Sequence, residues 1–448
     1  METRTLKRPT RRFGRWIAAG GVAVAAIAGQ AVVSATTAHA AQGTTVQRFG
    51  FDIYLVLAAD GRANNITISD DPTGSAFFVE DTGDVITNFS GCNPVNRNKV
   101  SCPRSSAARL TVDAGDGDDR ITKTINAPAV LSGGAGNDTI NTTGTNGADV
   151  DVLVGGPGND TLTGGSLGNV FAGGDGTDTL TGGAGQDHFD GGPGNDRILG
   201  GDGGDTLESS DTGADGADVF DGGAGIDTVS YSTRTSPVTV TLDAVANDGA
   251  PAEGDTNVRV ESVIGGQAGD TLTGSADFNF ISGGPGNDTI DGLGDTDILN
   301  GDAGADSISG GPGPSATLPD NDLIDGGTGV DTIHYDARAV PLTITLDAVG
   351  NDGAAGENDT IRTTVENVVG GSAADTITGG VESNVINGGN GNDRITGGGG
   401  NDSLNGGAGN DTLNGVDQVS QNDELDGGDG TADTCTADAG DDKVNCEL

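Results

Sequence analysis

Aspartate returns at a fixed place in a nine-residue unit through much of this chain, and a regular column of carboxylates suits the binding of hard cations. The unit is Gly-Gly-x-Gly-x-Asp-x-(apolar)-x. It stands as GGPGNDTLT at 155–163, GGDGTDTLT at 173–181, GGAGQDHFD at 182–190, GGPGNDRIL at 191–199 and GGDGGDTLE at 200–208. It returns as GGPGNDTID at 283–291, GGNGNDRIT at 388–396, GGGGNDSLN at 397–405 and GGAGNDTLN at 406–414. Glycine admits positive φ, so the backbone can turn tightly and aim carbonyl oxygens inward. If two units make one coil, carboxylates on one side recur after eighteen residues. Asp160, Asp178 and Asp196 obey that spacing, Asp187 and Asp205 form the opposite column, and Asp270/Asp288/Asp306 and Asp375/Asp393/Asp411 repeat it. Strands stacked about 4.8 Å apart and calcium–oxygen bonds of about 2.4 Å let one ion touch carboxylates from two coils. Magnesium demands shorter bonds and retained water, and transition metals lack the His or Cys they prefer.

Catalytic chemistry finds less support. His39 lies in a leader segment, and His188 and His334 flank inward positions, where side chains face solvent. No G-x-S-x-G elbow, H-E-x-x-H or P-loop occurs. Asp pairs are so frequent that glycosidase-like geometry would arise by chance. An EF-hand is excluded: with Gly249 at the loop's sixth position Ala244 falls where the first ligand must be, and the stretch 211–222 lacks the final Glu.

The elements that carry such columns must be short. Leu153, Leu162, Phe171, Leu180, Phe189, Ile198 and Leu207 fall nine residues apart, a spacing no helix fits. One apolar residue between two polar ones is a three-residue strand with a single inward side chain. The fold class is therefore all-β, a parallel β-solenoid of stacked nonapeptides. A small β cap, stapled by Cys92 and Cys102, is expected over 41–113, with strands near 51–57, 65–69 and 76–80; it covers the open edge of the first coil. Repeat blocks follow at 114–230, 265–334 and 370–429, and a C-terminal cap at 430–448. Two inserts, 231–264 and 335–369, are copies offset by 104 and then 105 residues. Their Val238/Val240/Leu242 and Leu342/Ile344/Leu346 alternate as half-buried strands. The acidic loop that follows, with Asp243, Asn247, Asp248, Glu253 and Asp255, is either a polar turn or a further cation site.

Composition agrees. Of 448 residues 82 are Gly and 3% are aromatic, so little large apolar volume is available for a globular core. The formal charge is −46; losing residues 1–40 removes Glu2 and six bases and moves the balance to −51. Nucleic acid and anionic membrane are poor partners for such a surface. Residues 1–40 have the basic start, apolar Ala/Gly-rich stretch and Ala38-His39-Ala40 ending of a secretory signal peptide, with cleavage after Ala40, export to the extracellular space and no span left in the mature chain. Arg11-Arg12 leaves Sec and twin-arginine routes both open. Four cysteines allow three pairings; in an exported chain two local loops, Cys92–Cys102 and Cys435–Cys446, are favoured over free thiols or a zinc site.

Residues 114–430 resemble the RTX, or haemolysin-type, calcium-binding repeats, whose β-roll is built on this nonapeptide. The resemblance implies that the sixth-position Asp residues and loop carbonyls bind several Ca2+ ions. It carries that role to the columns above and to Asp119, Asp138, Asp218, Asp227, Asp297, Asp331 and Asp402. Asn169, Asn279 and Asn384 replace the Asp and weaken their loops, and the irregular stretch 310–322 leaves Asp322 unassigned. The overall plan is similar to secreted actinobacterial calcium-binding proteins. One buried apolar side chain per nine ordered residues does not offset the backbone entropy lost, so calcium binding and folding are expected to be one event. Two functions remain in view. One is a non-catalytic structural or adhesive extracellular protein whose partners are calcium and a cell-surface or extracellular glycan or protein. The other is an accessory or catalytic component of a polysaccharide epimerase or lyase, although 41–113 is small for a catalytic domain.

Overall fold

A strand that hides one side chain is stable only when stacked on others, and this chain stacks them throughout. The computed structural model describes residues 43–49, 53–105, 108–143, 150–209, 216–311, 321–417 and 423–447. The expected signal peptide lies outside these residues. All described elements are strands, mostly of three to six residues, and no helix occurs among the described residues. No helix there is long and apolar enough to cross a membrane.

Within the repeat blocks the strands pair in parallel. Regular units stand in an eighteen-residue register, with Leu162 beside Leu180 and Leu180 beside Ile198. Their inward side chains form continuous columns with essentially no exposure: Leu153, Phe171 and Phe189 in one sheet, Leu162, Leu180 and Ile198 in the facing one. Phe171 and Phe189 stack with ring centroids 4.7 Å apart, and Phe220 tilts against Phe189 at 6.4 Å. The loops between strands need glycine. At Gly158 φ is 151°, and a Cβ there would overlap the Gly136 carbonyl of the coil above.

The β-roll is built from four long sheets that replace one another. Sheet I has fifteen strands and reaches from the N-terminal cap to Thr360–Ile361. Sheet II has eleven and stops at Thr256–Val258, inside the first insert. Sheet III has ten and begins at Thr239–Thr241, in that same insert. Sheet IV begins in the second insert, at Leu342–Thr345 with its antiparallel partner Gly353–Ala354, and ends at Thr434–Ala437. Each insert therefore closes one sheet and seeds another. Sheets I and II make the first block, I and III the second, III and IV the third. A buried ion pair pins each insert: Arg234 to Glu253 at 2.7 Å and Arg338 to Glu357 at 2.6 Å. The guanidinium carbons lie over the rings of Tyr231 and Tyr335, at 5.8 and 5.9 Å.

Antiparallel hairpins close the N-terminal end. Thr44–Phe49 pairs with Ile53–Leu57, and Ala76–Asp81 lies between Asn65–Asp70 and Lys99–Pro103. Ile53–Leu57 and Asn65–Asp70 also pair in parallel with Arg109–Asp113 and Arg120–Lys123, so the hairpins supply the first strand of sheets I and II. Disulfides join Cys92 to Cys102 and Cys435 to Cys446. Cys435 occupies the last inward position of sheet IV, beside Leu413.

Phe189 is fully buried between the rings of Phe171 and Phe220, so Phe189→Ala is expected to cost about 3–5 kcal/mol. Urea unfolding of the calcium-loaded protein, followed by circular dichroism, measures it.

Candidate metal-ion sites

Most strands of the repeat blocks are preceded by a carboxylate at a constant distance from the inward residue, and the four sheets stack these groups into ladders. One oxygen of each has a fixed task. In sheet II, Asn64 donates its N–H to Asp119 Oδ1 at 2.6 Å, and Asp119 to Asp138, Asp138 to Asp160, Asp160 to Asp178, Asp178 to Asp196 and Asp196 to Asp218 at 2.7–2.8 Å. Sheet I repeats the bond from Asn169 to Asp187, Asp187 to Asp205 and Asp205 to Asp227, and again from Asn279 to Asp297 and Asp297 to Asp322. Sheet III runs from Val238 through Asp270, Asp288, Asp306 and Asp331, and later from Asn384 through Asp402 to Asp423. Sheet IV runs from Leu342 through Asp375, Asp393 and Asp411 to Asp433.

The other oxygen has no such partner along most of the ladder. Oδ2 is buried without a hydrogen bond in Asp119, Asp138, Asp160, Asp178, Asp187, Asp205, Asp227, Asp288, Asp306, Asp331, Asp393, Asp411, Asp423 and Asp433. An isolated orphan of this kind is costly, and here it recurs coil after coil. The first glycine of the unit explains where these oxygens face. A Cβ on Gly155 would overlap Asp160 Oδ2 and the Gly173 carbonyl of the next coil; Gly173, Gly182, Gly200, Gly283, Gly301, Gly388 and Gly406 repeat that geometry. Each gap therefore offers a carboxylate oxygen and a neighbouring coil's carbonyl. Among the described residues no three His, Cys, Asp or Glu side chains converge on one point. A cation held here takes its shell from paired coils and backbone oxygens, which is oxygen-only ligation suited to calcium.

Electrostatics single out the same groups. Burial, reinforced by neighbouring rungs, raises the pKa of Asp119, Asp160, Asp187, Asp288 and Asp393 to about 7. Asp178, Asp205, Asp306 and Asp402 are raised to about 6 by the same desolvation. Each charged rung is poised to take up a proton or a metal ion.

Several residues depart from the simple pattern. Asp270 and Asp375 follow the two inserts, and their Oδ2 accepts a second N–H, from Gly266 at 2.5 Å and Gly371 at 2.8 Å. Asn169 turns its amide nitrogen into the gap, where a donor opposes a cation. Asn279 and Asn384 spend Oδ1 on the N–H groups of Ser275 and Gly380. The unassigned Asp322 is a full rung, bonded on to Asp359 Oδ1 at 3.0 Å. Asp423 and Asp433 escaped an eighteen-residue count because longer loops precede them; counting back two from the inward Leu425 and Cys435 finds both. Ladder ends are closed by acidic side chains: Asp218 N–H meets Asp255, Asp227 meets Glu261, Asp331 meets Glu366 and Asp433 meets Glu447. In the insert loop Asp248 accepts from Thr241 N–H at 2.6 Å and Asn257 Nδ2 at 2.9 Å, and Glu253 from Arg234 and Ala250 N–H. That loop is a hydrogen-bonded turn. His188 and His334 lie on outward positions of their strands, both partly covered.

The raised pKa values set a sign. A folded, metal-free coil keeps protons that an unfolded chain, with Asp near 3.8, has released. This contribution is fully present below about pH 4 and is lost as pH rises through 6 to 7. In chelator, β-structure is expected to increase as pH falls from 8 to 5; a far-ultraviolet circular dichroism titration reads it.

No curated protein matches the chain. The family model for the RTX calcium-binding nonapeptide repeat matches it in several copies, over 130–149, 145–166, 172–207, 212–229, 264–299, 292–313, 318–337, 363–395 and 378–413. These ranges cover most of the units whose aspartates form the ladders; Asp119, Asp423 and Asp433 lie outside them. The chain carries several copies of the RTX calcium-binding nonapeptide repeat, folded as a parallel β-solenoid.

Proposed function

We propose that this is an exported, non-catalytic structural or adhesive protein whose repeats fold when calcium enters the gaps between coils. The observation that carries the reading is the run of buried Oδ2 atoms, each in a gap it shares with a neighbouring coil's carbonyl where that geometry repeats. Bound calcium supplies the positive charge these oxygens lack. The chain's own part is to fix every carboxylate through its Oδ1 bond and to keep the gap clear with a glycine.

Export is supported by the leader-like residues 1–40, by the two cysteine pairs and by the acidic surface. An extracellular setting also supplies calcium at the concentrations extracellular calcium-binding modules require. Commitment of the carboxylates to backbone ladders supports a non-catalytic role. A surface glycan or protein is the proposed partner.

With chelator at pH 7.5, the protein lacking residues 1–40 is expected to lose most of its β-signal and to regain it with millimolar calcium. An unchanged spectrum refutes the reading. Asp178→Asn is expected to raise the calcium midpoint by several-fold, because one rung then offers a neutral amide; calorimetric titration measures it. Protein recovered from culture medium is expected to begin at Ala41, as read by mass spectrometry. Turnover of uronate polymers by the purified protein would instead favour the enzymatic alternative.

A further inference from the structure

Lys123 is the only buried lysine among the described residues. It ends the strand Arg120–Lys123 of sheet II, and its ammonium crosses to Asp151, which precedes Val152–Val154 of sheet I. Nζ lies 2.8 Å from Oδ2 and 3.0 Å from Oδ1, and the two side chains are 3% and 7% exposed. Asp151 is a rung like the others. It stands two residues before the inward Leu153, and its Oδ1 accepts the N–H of Ala129, itself two residues before the inward Leu131, at 3.0 Å. Here, however, Oδ2 faces a cation carried by the chain itself. The adjoining rungs of sheet I carry no charge, since Ala129 and Asn169 occupy the equivalent places.

We propose that the Lys123 ammonium replaces calcium at the Asp151 rung. The sheet I side of the first coils, from Ile53–Leu57 to Val170–Ala172, then holds its shape without metal and serves as the template on which calcium-dependent coils assemble. The proposal rests on the calcium-coupled folding proposed above. Its physical basis is that a tethered ammonium meets the carboxylate at any calcium concentration, whereas Asp187 and the rungs beyond it await an ion. The hairpin of Thr44–Phe49 and Ile53–Leu57, which gives sheet I its first strands through backbone pairing, lies on the same side.

Hydrogen exchange of the full mature chain, read by mass spectrometry with chelator and with calcium, tests this. In chelator, Ala129–Ser132 and Val152–Val154 are expected to stay protected while His188–Asp190 and Thr206–Glu208 exchange freely. Lys123→Gln leaves Asp151 charged and alone, so these two strands are expected to exchange roughly a hundredfold faster or more in chelator and to regain protection with calcium. Lys123→Gln combined with Asp151→Asn removes both charges and is expected to keep metal-free protection, which separates an orphaned charge from a misfolded chain. If wild-type strands around Asp151 are as labile in chelator as the later ones, or if Lys123→Gln leaves their protection intact, the proposal is overturned. If every coil stays protected in chelator, calcium-coupled folding fails instead; the tethered cation then stands or falls on whether Lys123→Gln creates a calcium requirement at these two strands.

Discussion

One hydrogen bond organises the molecule: the N–H of each sixth-position residue donates to the carboxylate of the next rung in its sheet. Because Asp160 Oδ1 holds the Asp138 N–H and Asp178 Oδ1 holds that of Asp160, every carboxylate is locked at one oxygen and aimed at the other. The inward column of leucine, isoleucine and phenylalanine sets how far apart the facing sheets lie, but it cannot orient a charged group. The ladder does that, and it explains why the acidic residue is a short aspartate within the blocks. Glutamate appears where a ladder meets an insert or the chain's end, at Glu261, Glu366 and Glu447, where a longer reach is needed.

The arrangement is costly without a counter-charge. Stacking carboxylates at strand spacing brings like charges together in a desolvated place, and both effects favour the neutral acid. The protein meets the problem in three ways. Most rungs keep a buried Oδ2 without a hydrogen bond, Asn169, Asn279 and Asn384 give up the charge, and Asp151 is matched by Lys123, as Glu253 and Glu357 in the inserts are by Arg234 and Arg338. The matched positions lie near the N-terminal cap or in the inserts, where the regular unit is interrupted.

Much of this was legible in the residues. The nonapeptide period gives the three-residue strands, the eighteen-residue register and the separation of Asp178 from Asp187 into opposite columns, because a single inward side chain per unit permits little else. What escaped the sequence depends on distance along other strands. Nothing local in Ile-Thr-Lys at 121–123 announces that Lys123 meets an aspartate 28 residues on. Fixed counting lost Asp322, Asp423 and Asp433, since loop length varies while the two-residue step to the inward side chain does not. The division of labour between the two carboxylate oxygens was also hidden, as it arises only once coils are stacked.

The relay of sheets has a mechanical consequence. Sheet I passes unbroken through the first insert, where II gives way to III, and sheet III passes unbroken through the second, where I gives way to IV. The joints are offset, as in courses of brick, so no cross-section cuts all the backbone ladders at once. Tension applied along the axis meets a continuous sheet at each seam. Because the two inserts act on alternate sides, a further copy of the same segment would lengthen the rod without creating a weak plane.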